Sequence, residues 1–449
     1  MNKILKRKYY ALEIELISPL KVSNGQEIHS DSDVMRNGNG ILFIPGSSLA
    51  GAFRDYLGFS KDKECIMGYA DGEKGYMSSV FISDLYFDNK GQNMPKVSLR
   101  DGVSLDDGKI VSNKFDMEII ETGAKGIIFL NIIIRENDSK SNMEQSLYNI
   151  FQGIQNGDIR FGSNKTRGFG RMKINNIFHA GFDKDSLYEW IGFMPHRTNL
   201  ENNIYKIETY DDWLKNNNIN KVETKYLKMS IPLKLSGGIS IRRYSAMPGE
   251  ADFEHITYTD AEGEKIPVIP GSSWNGAIRA DVKEILGELG IQGEGRDDIL
   301  ENWFGYTDSK MKDKTAQSSK VVIAESTIKH SGMLPVSRNK INRFDASTKD
   351  GALYSELAYF GGDTCLEFLL YKDQEKQYLA IAGMLLLVIE DIKKGYVAVG
   401  GQTAVGRGIF EAGEDVKVKY SEKISEEDCS KELYNLIEKY KQNKQNIKG

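Results

Sequence analysis

Cysteine is scarce in this sequence, with three residues among 449. Cys65, Cys365 and Cys429 lie far apart along the chain, so their spacing supports neither a disulfide framework nor a cysteine-based zinc site. A chain of this kind fits a reducing compartment, and we expect a cytoplasmic protein.

Long apolar runs are also missing. No stretch of about 18 apolar residues is present that could span a bilayer. The basic start, Met1 to Lys8, leads into alternating strand-like residues and lacks the apolar core and small-residue cleavage site of a signal peptide. The sequence therefore predicts no membrane partner.

An excess of positive charge is absent as well, because 59 Lys and Arg residues are outnumbered by 64 Asp and Glu residues and the net charge is -5. This balance argues against a protein whose whole surface binds nucleic acid. Basic residues nevertheless gather beside glycines, which is compatible with one phosphate-attracting face. The groups are Lys165, Arg167 and Arg171; Arg338, Lys340 and Arg343; and Arg242 with Arg243.

One stretch occurs twice in the chain, at 44–54 and at 269–279. Both copies read Ile-Pro-Gly-Ser-Ser, then two variable residues, Gly-Ala, one apolar residue and Arg. Pro and Gly end a strand, Ser caps a helix, and we expect the small residues Gly51 and Ala52 to let the helix approach a sheet closely. Recurrence after 225 residues indicates duplicated domains.

The first half alternates strand-like and helix-like segments. We predict strands at 9–22, 78–87, 127–134 and 171–177, helices from Ser47 and over 143–154, and a hairpin with arms at 97–106 and 114–120 and its turn at Asp107 and Gly108. The order strand, helix, strand, strand, helix, strand is typical of a ferredoxin-like α+β fold with one open sheet face.

The second half repeats this order. The matching segments are 226–235 for the first strand, 237–265 for the polar loop, 319–327 for the second strand, and 338–344 with 353–356 for the hairpin arms. Three residue pairs keep a spacing of 238 residues: Glu118 and Glu356, Gly123 and Gly361, and Gly168 and Gly406. We predict tandem domains at 1–205 and 225–413, a linker at 206–224 and a helical tail at 414–449.

A glycine-rich loop with several cations, Phe161 to Arg171, precedes the last strand of the first half. Glycines let backbone amides approach a phosphate while Lys and Arg neutralise its charge. A glycine-rich turn between a helix and a strand is equally common, so the loop alone does not decide between binding and structure.

Three features in the same order, present twice, resemble the RAMP superfamily of CRISPR-associated proteins: the Pro-Gly-Ser-Ser stretch, the hairpin around Arg100-Asp101-Gly102 and Phe115-Asp116-Met117-Glu118, and the late Gly-x-Gly loop. The resemblance covers about 8–178 and 225–412 and is strongest to backbone subunits of type III effector complexes. The chain resembles a tandem fusion of two such subunits, as in type III-D-like systems. This implies two ferredoxin-like (RRM-like) domains with thumb-like hairpins at 97–120 and 336–357.

The resemblance implies CRISPR RNA, complementary target RNA and other CRISPR effector subunits as partners. Family members clamp the guide backbone with the first helix and the glycine-rich loop, and the thumb enters between guide and target. Sequence-neutral RNA binding of this kind uses cations and backbone amides on phosphate. Carried onto this sequence, the guide contacts are Ser47, Ser48, Arg54, Lys165, Arg167, Gly168, Arg171, Ser272, Ser273, Arg279, Gly406 and Arg407.

The resemblance also places target cleavage on an aspartate in the loop between the first strand and the first helix. Backward alignment from Pro45 puts Asp31 there, as ligand of a divalent cation, Mg²⁺ or Mn²⁺, with Asp33 as a near alternative. A carboxylate at this position would hold the cation or position the ribose 2′-hydroxyl that attacks the adjacent phosphate. Without the resemblance, Ser30 to Asp33 is typical of a solvated turn.

The second copy departs from this pattern. Its loop is longer by about a dozen residues, backward alignment puts His255 where Asp31 stands, and Asp252 is the weaker catalytic candidate there. His29 and His255 have the chemistry of proton carriers near neutral pH, although an isolated loop histidine is more often simply solvated.

Three functions stay open: a cleaving backbone subunit, a non-cleaving scaffold, and an endonuclease that processes CRISPR precursor RNA. The last of these would not need two thumbs.

Overall fold

Each half of the chain builds one main antiparallel sheet and several smaller sheets in this computed structural model. The structure describes residues 3–23, 25, 30–58, 66–72, 74–88, 94–102, 105–106, 109–110, 115–136, 140–195, 205–244, 251–260, 263–307, 316–349 and 351–448. The chain divides into two compact units: 1–165 with 169–224, and 166–168 with 225–449. Within the described ranges, no helix combines the length and the apolar character needed to cross a membrane.

The first unit is mixed α+β. Its strands are β1 (Ile4–Leu16), β2 (Phe43–Ile44), β3 (Tyr69–Asp71), β4 (Lys74–Tyr76), β5 (Val80–Ile82), β6 (Leu85–Phe87), β7 (Val97–Gly102), β8 (Leu105–Asp106), β9 (Lys109–Ile110), β10 (Phe115–Ile120), β11 (Lys125–Arg135), β12 (Met172–Phe182) and β13 (Lys206–Thr209). Its helices are α1 (Gly46–Leu57), α2 (Lys140–Asn156), α3 (Leu187–Gly192) and α4 (Tyr210–Asn216), with 3-10 turns at Lys165–Arg167 and Lys184–Ser186.

Strand β1 lies at the centre of the first sheet. The order across the sheet is β13, β12, β1, β11, β6, β2, and β5 also pairs with β11. The predicted succession of strand, helix, strand, strand, helix and strand is observed as β1, α1, β5 with β6, β11, α2 and β12. The fourth strand of that succession, β12, therefore lies beside the first.

One face of this sheet forms the main core of the unit, because alternate residues of a strand point to the same side. On that face β1 and β11 bury large aliphatic side chains against α1 and α2; the residues include Leu12, Ile14, Ile128, Leu130, Leu49, Phe53, Leu147 and Phe151. The opposite face carries a smaller cluster of Tyr9, Ala180 and Phe182, with Trp190, Phe193 and Tyr205 packed on it.

The segment expected to act as a linker, 206–224, begins inside the first unit. Its first four residues form β13, which pairs with β12 from Asn176 to His179. Helix α4 follows, and Trp213 is buried beside Phe151 at a ring distance of 5.3 Å. A single Trp in a polar, Asn-rich run is a weak sequence signal for a core residue, which is why this segment resembled a linker.

The second unit repeats the architecture. Its strands are β14 (Tyr226–Ser236), β15 (Gly238–Ile239), β16 (Arg242–Tyr244), β17 (Phe253–His255), β18 (Thr257–Thr259), β19 (Lys265–Ile269), β20 (Tyr306–Thr307), β21 (Ala316–Gln317), β22 (Val321–Ile323), β23 (Ser326–Thr327), β24 (Gly332–Arg338), β25 (Tyr354–Phe360), β26 (Asp363–Tyr371), β27 (Lys394–Ala398), β28 (Ile409–Glu411) and β29 (Lys419–Tyr420). Its helices are α5 (Gly271–Glu288), α6 (Glu294–Phe304), α7 (Gln377–Lys393) and α8 (Glu426–Lys448), with a 3-10 turn at Thr403–Val405.

The main sheet of the second unit has the order β22, β26, β14, β28, β27, so its first strand again lies between the third and the last. The tail helix α8 does not stand apart from this unit. Cys429, Leu433 and Ile437 belong to its buried core. A Cβ atom on Gly383 of α7 would lie 2.5 Å from the Cys429 carbonyl oxygen, so glycine allows the two helices to touch.

Both units carry a hairpin between their second and third core strands. In the first, 97–102 pairs with 115–120 as predicted, and the expected turn at Asp107 and Gly108 lies outside the described residues. In the second, 332–338 pairs with 354–360, so the first arm ends at Arg338, where it was expected to begin. Strand β24 exposes most of its side chains, including Met333 and Leu334, and therefore shows no apolar alternation that could locate it.

Candidate nucleic-acid interface

The duplicated Pro-Gly-Ser-Ser stretches start helices α1 and α5. Pro45 and Pro270 occupy the N-cap positions, and neither makes a side-chain cap. The serines lie within the first turn and are not the caps that the sequence predicts: Ser47, Ser48 and Ser272 are exposed, and Ser273 is half-buried. In the first unit Gly46 N donates instead to Asp84 Oδ1 at 2.7 Å, so a carboxylate from the turn between β5 and β6 supports the helix start.

The close approach of helix to sheet depends on a different glycine from the one expected. A Cβ atom on Gly46 would lie 2.6 Å from the Ile82 carbonyl oxygen, and one on Gly271 would overlap the Ile323 carbonyl oxygen. A Cβ atom on Gly51, by contrast, would meet nothing within 4 Å. Gly46 and Gly271 are therefore required by packing, whereas Gly51 faces open space.

Each of these helices presents a matching exposed face. In α1 this face holds Ser47, Gly51 and Arg54; in α5 it holds Ser272, Gly276 and Arg279, with the same spacing. The Arg54 guanidinium donates to the carbonyl oxygens of Met67 and Gly68 at 2.7 and 3.1 Å, which fixes its direction. Gly276, like Gly51, would have no neighbour within 4 Å of a Cβ atom.

The two glycine-rich loops, 161–171 and 399–409, share one backbone conformation. Asn164, Gly168 and Gly170 have φ values of 56°, 84° and 79°, and their counterparts Gln402, Gly406 and Gly408 have 60°, 80° and 69°. Each loop is tied to the chain after the first strand: Gly170 N donates to Pro19 O, and Gly408 N donates to Gly238 O, both at 2.8 Å. Most of the glycines thus serve the loop fold itself.

The side chains of the two loops differ in charge. In the first loop Lys165 is exposed and Arg167 and Arg171 are half-buried, and burial lowers the pKa of Arg167. In the second loop Arg407 is 7% exposed, and its guanidinium carbon lies 4.4 Å from the centre of the Phe360 ring. Its side chain therefore packs inward, and the exposed part of that loop around Gly406 is uncharged.

The loop between the first strand and α1 is locked to the hairpin. Asp31 N donates to Asp116 Oδ1 at 2.8 Å, and Asp116 N donates to Asp31 Oδ2 at 2.9 Å. This reciprocal pair brings the exposed Asp31 and the half-buried Asp116 together. Asp33 behaves differently, because it is buried and its Oδ1 accepts hydrogen bonds from the backbone and hydroxyl of Ser30.

An ion pair braces the same junction. Glu118 is buried, and Arg36 donates to both of its carboxyl oxygens at 2.7 and 3.1 Å. Glu118 Oε2 also accepts from Val34 N at 3.0 Å. The glycine-rich loop joins the same hairpin strand, with Asn164 Nδ2 lying 3.3 Å from Met117 Sδ.

The second unit repeats the lock with other residues. Ser355 N donates to Asp252 Oδ2 at 2.7 Å, and Asp252 N lies 3.2 Å from Ser355 Oγ. The hydrogen bond from the Ser355 backbone lowers the pKa of Asp252. Asp252 is thus the geometric counterpart of Asp31, with Ser355 in the place of Asp116.

His255 does not occupy the position that backward alignment gave it. Ile256 N donates to Ile241 O in the second unit, and Met35 N donates to Val22 O in the first. These matching bonds make His255 the equivalent of Val34, so the alignment of the two loops shifts by three residues. His255 Nδ1 lies 3.0 Å from Ile241 N and its Nε2 lies 3.0 Å from Val268 O. It is buried, and burial lowers its pKa to about 4. His29 lies outside the described residues.

Several residues of this junction were not anticipated from the sequence. Glu356 is buried and bound by Ser240, by Arg242 at 3.4 Å and by Gln402 at 3.0 Å. The contact from Gln402 matches that from Asn164, so Glu356 corresponds to Met117 in the first unit. Glu118 and Glu356 are therefore not equivalent positions, although they are 238 residues apart. Asp116 lay inside the quoted hairpin motif, and its proximity to Asp31 could be recognised only in three dimensions.

The structure therefore joins three predicted features within each unit. The acidic loop contacts the hairpin, and the hairpin strand contacts the glycine-rich loop. The described part of the chain holds no group of three or more His, Cys, Asp or Glu residues that could bind a metal ion together.

A family model described as RAMPs, RAMP superfamily, matches two regions of the chain, residues 13–173 and 236–411. Each region falls largely in one of the two units. No curated protein matches the chain significantly.

The buried His255 predicts a pH-dependent stability. Its folded pKa of about 4 lies below the ordinary 6.5. The neutral ring therefore contributes its full stabilisation of the folded state above pH 6.5, and this contribution is lost as the pH falls toward 4. Between pH 7 and pH 4.5 the loss is about 2 kcal/mol, which urea unfolding at the two pH values measures. His255→Val installs the residue found at position 34. It should lower the free energy of unfolding at pH 7 and make that free energy less dependent on pH. Equal pH slopes in both proteins would contradict this assignment.

Proposed function

The chain belongs to the RAMP superfamily, and from this membership we propose that it is a two-copy backbone subunit of a type III CRISPR effector complex that binds guide and target RNA. We propose further that each unit is a ferredoxin-like module. The strand order supports this, since in both units the first strand lies between the third and the fourth. The proposed partners are CRISPR RNA, complementary target RNA and other effector subunits.

One observation carries the proposal: an exposed helix face with Ser, Gly and Arg at the same spacing occurs in both units, at 47–54 and 272–279. Glycine inside a helix costs about 0.5–1 kcal/mol relative to alanine. Neither Gly51 nor Gly276 has a neighbour in the described chain that a Cβ atom would disturb. A ligand backbone that approaches the helix at this point explains why glycine stands there twice.

The chemistry of this face suits a phosphate backbone. Hydroxyl groups, the amides of a helix start and guanidinium groups all donate hydrogen bonds to phosphate oxygens without reading the bases. In the first glycine-rich loop Lys165, Arg167 and Arg171 add positive charge, and the second loop offers backbone groups around Gly406. Such contacts leave base edges free, as RNA-guided recognition of a target requires.

We propose target cleavage at the first unit, at the pair of Asp31 and Asp116. The residues fit Mg²⁺ or Mn²⁺ in a simple way, since Mg²⁺ keeps several waters and is commonly held by one or two carboxylates. When bound there, the cation would offset the negative charge of the scissile phosphate. The ribose 2′-hydroxyl attacks the adjacent phosphorus and the P–O5′ bond breaks, leaving a 2′,3′-cyclic phosphate and a 5′-hydroxyl.

For the second unit, a scaffold role that binds target RNA without cutting is the better supported alternative. Asp252 has the position of Asp31, but Ser355 replaces Asp116, so the reciprocal pair carries one carboxylate where that of the first unit carries two. A precursor-processing nuclease that uses histidine as general acid gains no support from His255. That ring is buried and its nitrogens bond to Ile241 and Val268.

Substitution of Asp31 by asparagine tests the cleavage proposal. In a complex reconstituted with guide RNA, Asp31→Asn should reduce cutting at one position of a complementary RNA by at least about 100-fold, while guide retention stays unchanged. Asparagine keeps an oxygen that accepts from Asp116 N, so the junction is preserved. Asp252→Asn is the matched control and should leave that cut intact. Full cleavage by the Asp31→Asn and Asp33→Asn variants at every position would refute the assignment.

The helix glycines give a second test, in which stability and binding change in opposite directions. Gly51→Ala and Gly276→Ala should each raise the free energy of unfolding by about 0.5–1 kcal/mol, because alanine is the better helix former. The same changes should weaken RNA binding about fivefold or more, as measured by fluorescence anisotropy. Gly287→Ala, also with no neighbour within 4 Å, is the control that should leave RNA affinity unchanged. Undiminished RNA affinity of both variants would remove this face from the interface.

A further inference from the structure

A cavity opens on the face of the first sheet that α1 and α2 do not cover. Its volume is about 310 Å³, near the lower end of the roughly 300–1,000 Å³ typical of small-molecule sites. A space of this size suits one ring system better than a large ligand. The lining residues are Tyr9, Tyr10, Phe81, Ile82, Ser83, Phe129, Leu130, Asn131, Pro195 and Tyr205.

Strand register explains why aromatic side chains meet here. Tyr9 of β1 pairs with Asn131 of β11, which pairs with Phe81 of β5, so these three residues form one row across the sheet. In the next row on the same face Phe129 pairs with Ala11. Tyr9, Asn131, Phe81 and Phe129 therefore share one face of the sheet.

The tyrosines at this cavity have satisfied hydroxyl groups. Tyr205 donates to Pro195 O at 3.1 Å, and the Tyr9 hydroxyl accepts from Trp190 Nε1 at 3.0 Å. Phe193 packs between them, with ring centres 4.9 Å from Tyr9 and 5.1 Å from Tyr205. These contacts hold the aromatic rings in place, so the rings offer a ligand a fixed apolar surface.

Asn131 adds a polar requirement. It lines the cavity, and its Oδ1 is buried with no hydrogen-bond partner in the described chain. A buried acceptor without a donor is costly, so this oxygen calls for an N–H or O–H group from outside the chain. Aromatic walls together with one amide match the edge and the face of a planar heterocycle.

The duplicated unit shows that the fold does not need this cavity. By strand register, Tyr9 and Asn131 correspond to Lys228 and Leu369, and Ala11 and Phe129 correspond to Ser230 and Glu367. Lys228 and Glu367 form an ion pair at 2.5 Å on that face. Aromatic lining at these positions is therefore a property of the first unit, acquired or kept independently of the sheet architecture.

We propose that this cavity binds a single unstacked nucleobase, which lies against the aromatic side chains and donates an N–H of its base edge to Asn131 Oδ1. Every base offers such a donor, so the site recognises base character and not one sequence. The proposal goes beyond the phosphate-binding face described above, because it concerns the opposite face of the sheet. The base belongs to an RNA strand or to a free nucleotide, and the two sources are separated by experiment.

Calorimetry of the full chain with AMP, UMP and ribose 5-phosphate tests the proposal. Binding of both nucleotides without binding of ribose 5-phosphate is the result expected if the site takes a free nucleotide. Phe81→Ala changes an exposed side chain and should weaken nucleotide binding by roughly 5- to 150-fold, the usual loss for one base–aromatic contact. Asn131→Leu installs the residue of the second unit and should weaken it as well. Glu367→Gln, at the Phe129 position of the second unit, should have no effect.

Ultraviolet crosslinking to a short single-stranded RNA, followed by mass spectrometry, separates the two sources. RNA adducts on Tyr9, Phe81, Phe129 or Tyr205 without nucleotide binding assign the site to an RNA strand, and nucleotide binding without adducts assigns it to a free nucleotide. Absence of both, with the wild-type fold confirmed by circular dichroism, overturns the proposal. So would equal binding of AMP and ribose 5-phosphate, or capture of a protein side chain in the cavity in place of a base.

Discussion

An exchange of hydrogen bonds between an acidic loop and a hairpin strand organises the candidate site in each unit. Asp31 pairs with Asp116 in the first unit, and Asp252 pairs with Ser355 in the second. Because these bonds involve backbone amides of the hairpin strand, they tie the hairpin to the loop that precedes the helix. The glycine-rich loop contacts the next residue of the same strand, through Asn164 and Met117 in the first unit and Gln402 and Glu356 in the second.

Much of this arrangement could be predicted from the sequence, because backbone conformation restricts residue choice. Glycine is favoured at a positive φ or at a close contact, so Gly168, Gly170 and their counterparts Gly406 and Gly408 marked the loops correctly. Gly46 and Gly271 marked the helix starts for the same reason. Apolar alternation located β1, since its buried face needs period two, and a run of β-forming residues located β11.

Other features depend on contacts between distant segments and could not be predicted. The loop before α5 is longer than its counterpart, and counting back from Pro270 set His255 opposite Asp31, although the hydrogen bonds place Asp252 there. The orientation of Arg407 toward Phe360 follows from packing that no local pattern records. Strand β13 joins the sheet by backbone pairing and through polar contacts of the buried Glu208 with His179 and Asn216, so its polar sequence resembled a linker.

The two units keep one architecture but differ in chemistry: Asp116 of the first corresponds to Ser355 of the second, and the aromatic cavity of the first corresponds to positions where Lys228 and Glu367 form an ion pair. The central claim is that both units grip RNA through the same helix face. Hydroxyl-radical footprinting of RNA bound to the full chain tests it most directly. We predict two protected segments, one lost on charge reversal at Arg54 and the other at Arg279. A single protected segment, or protection insensitive to both changes, would contradict the account.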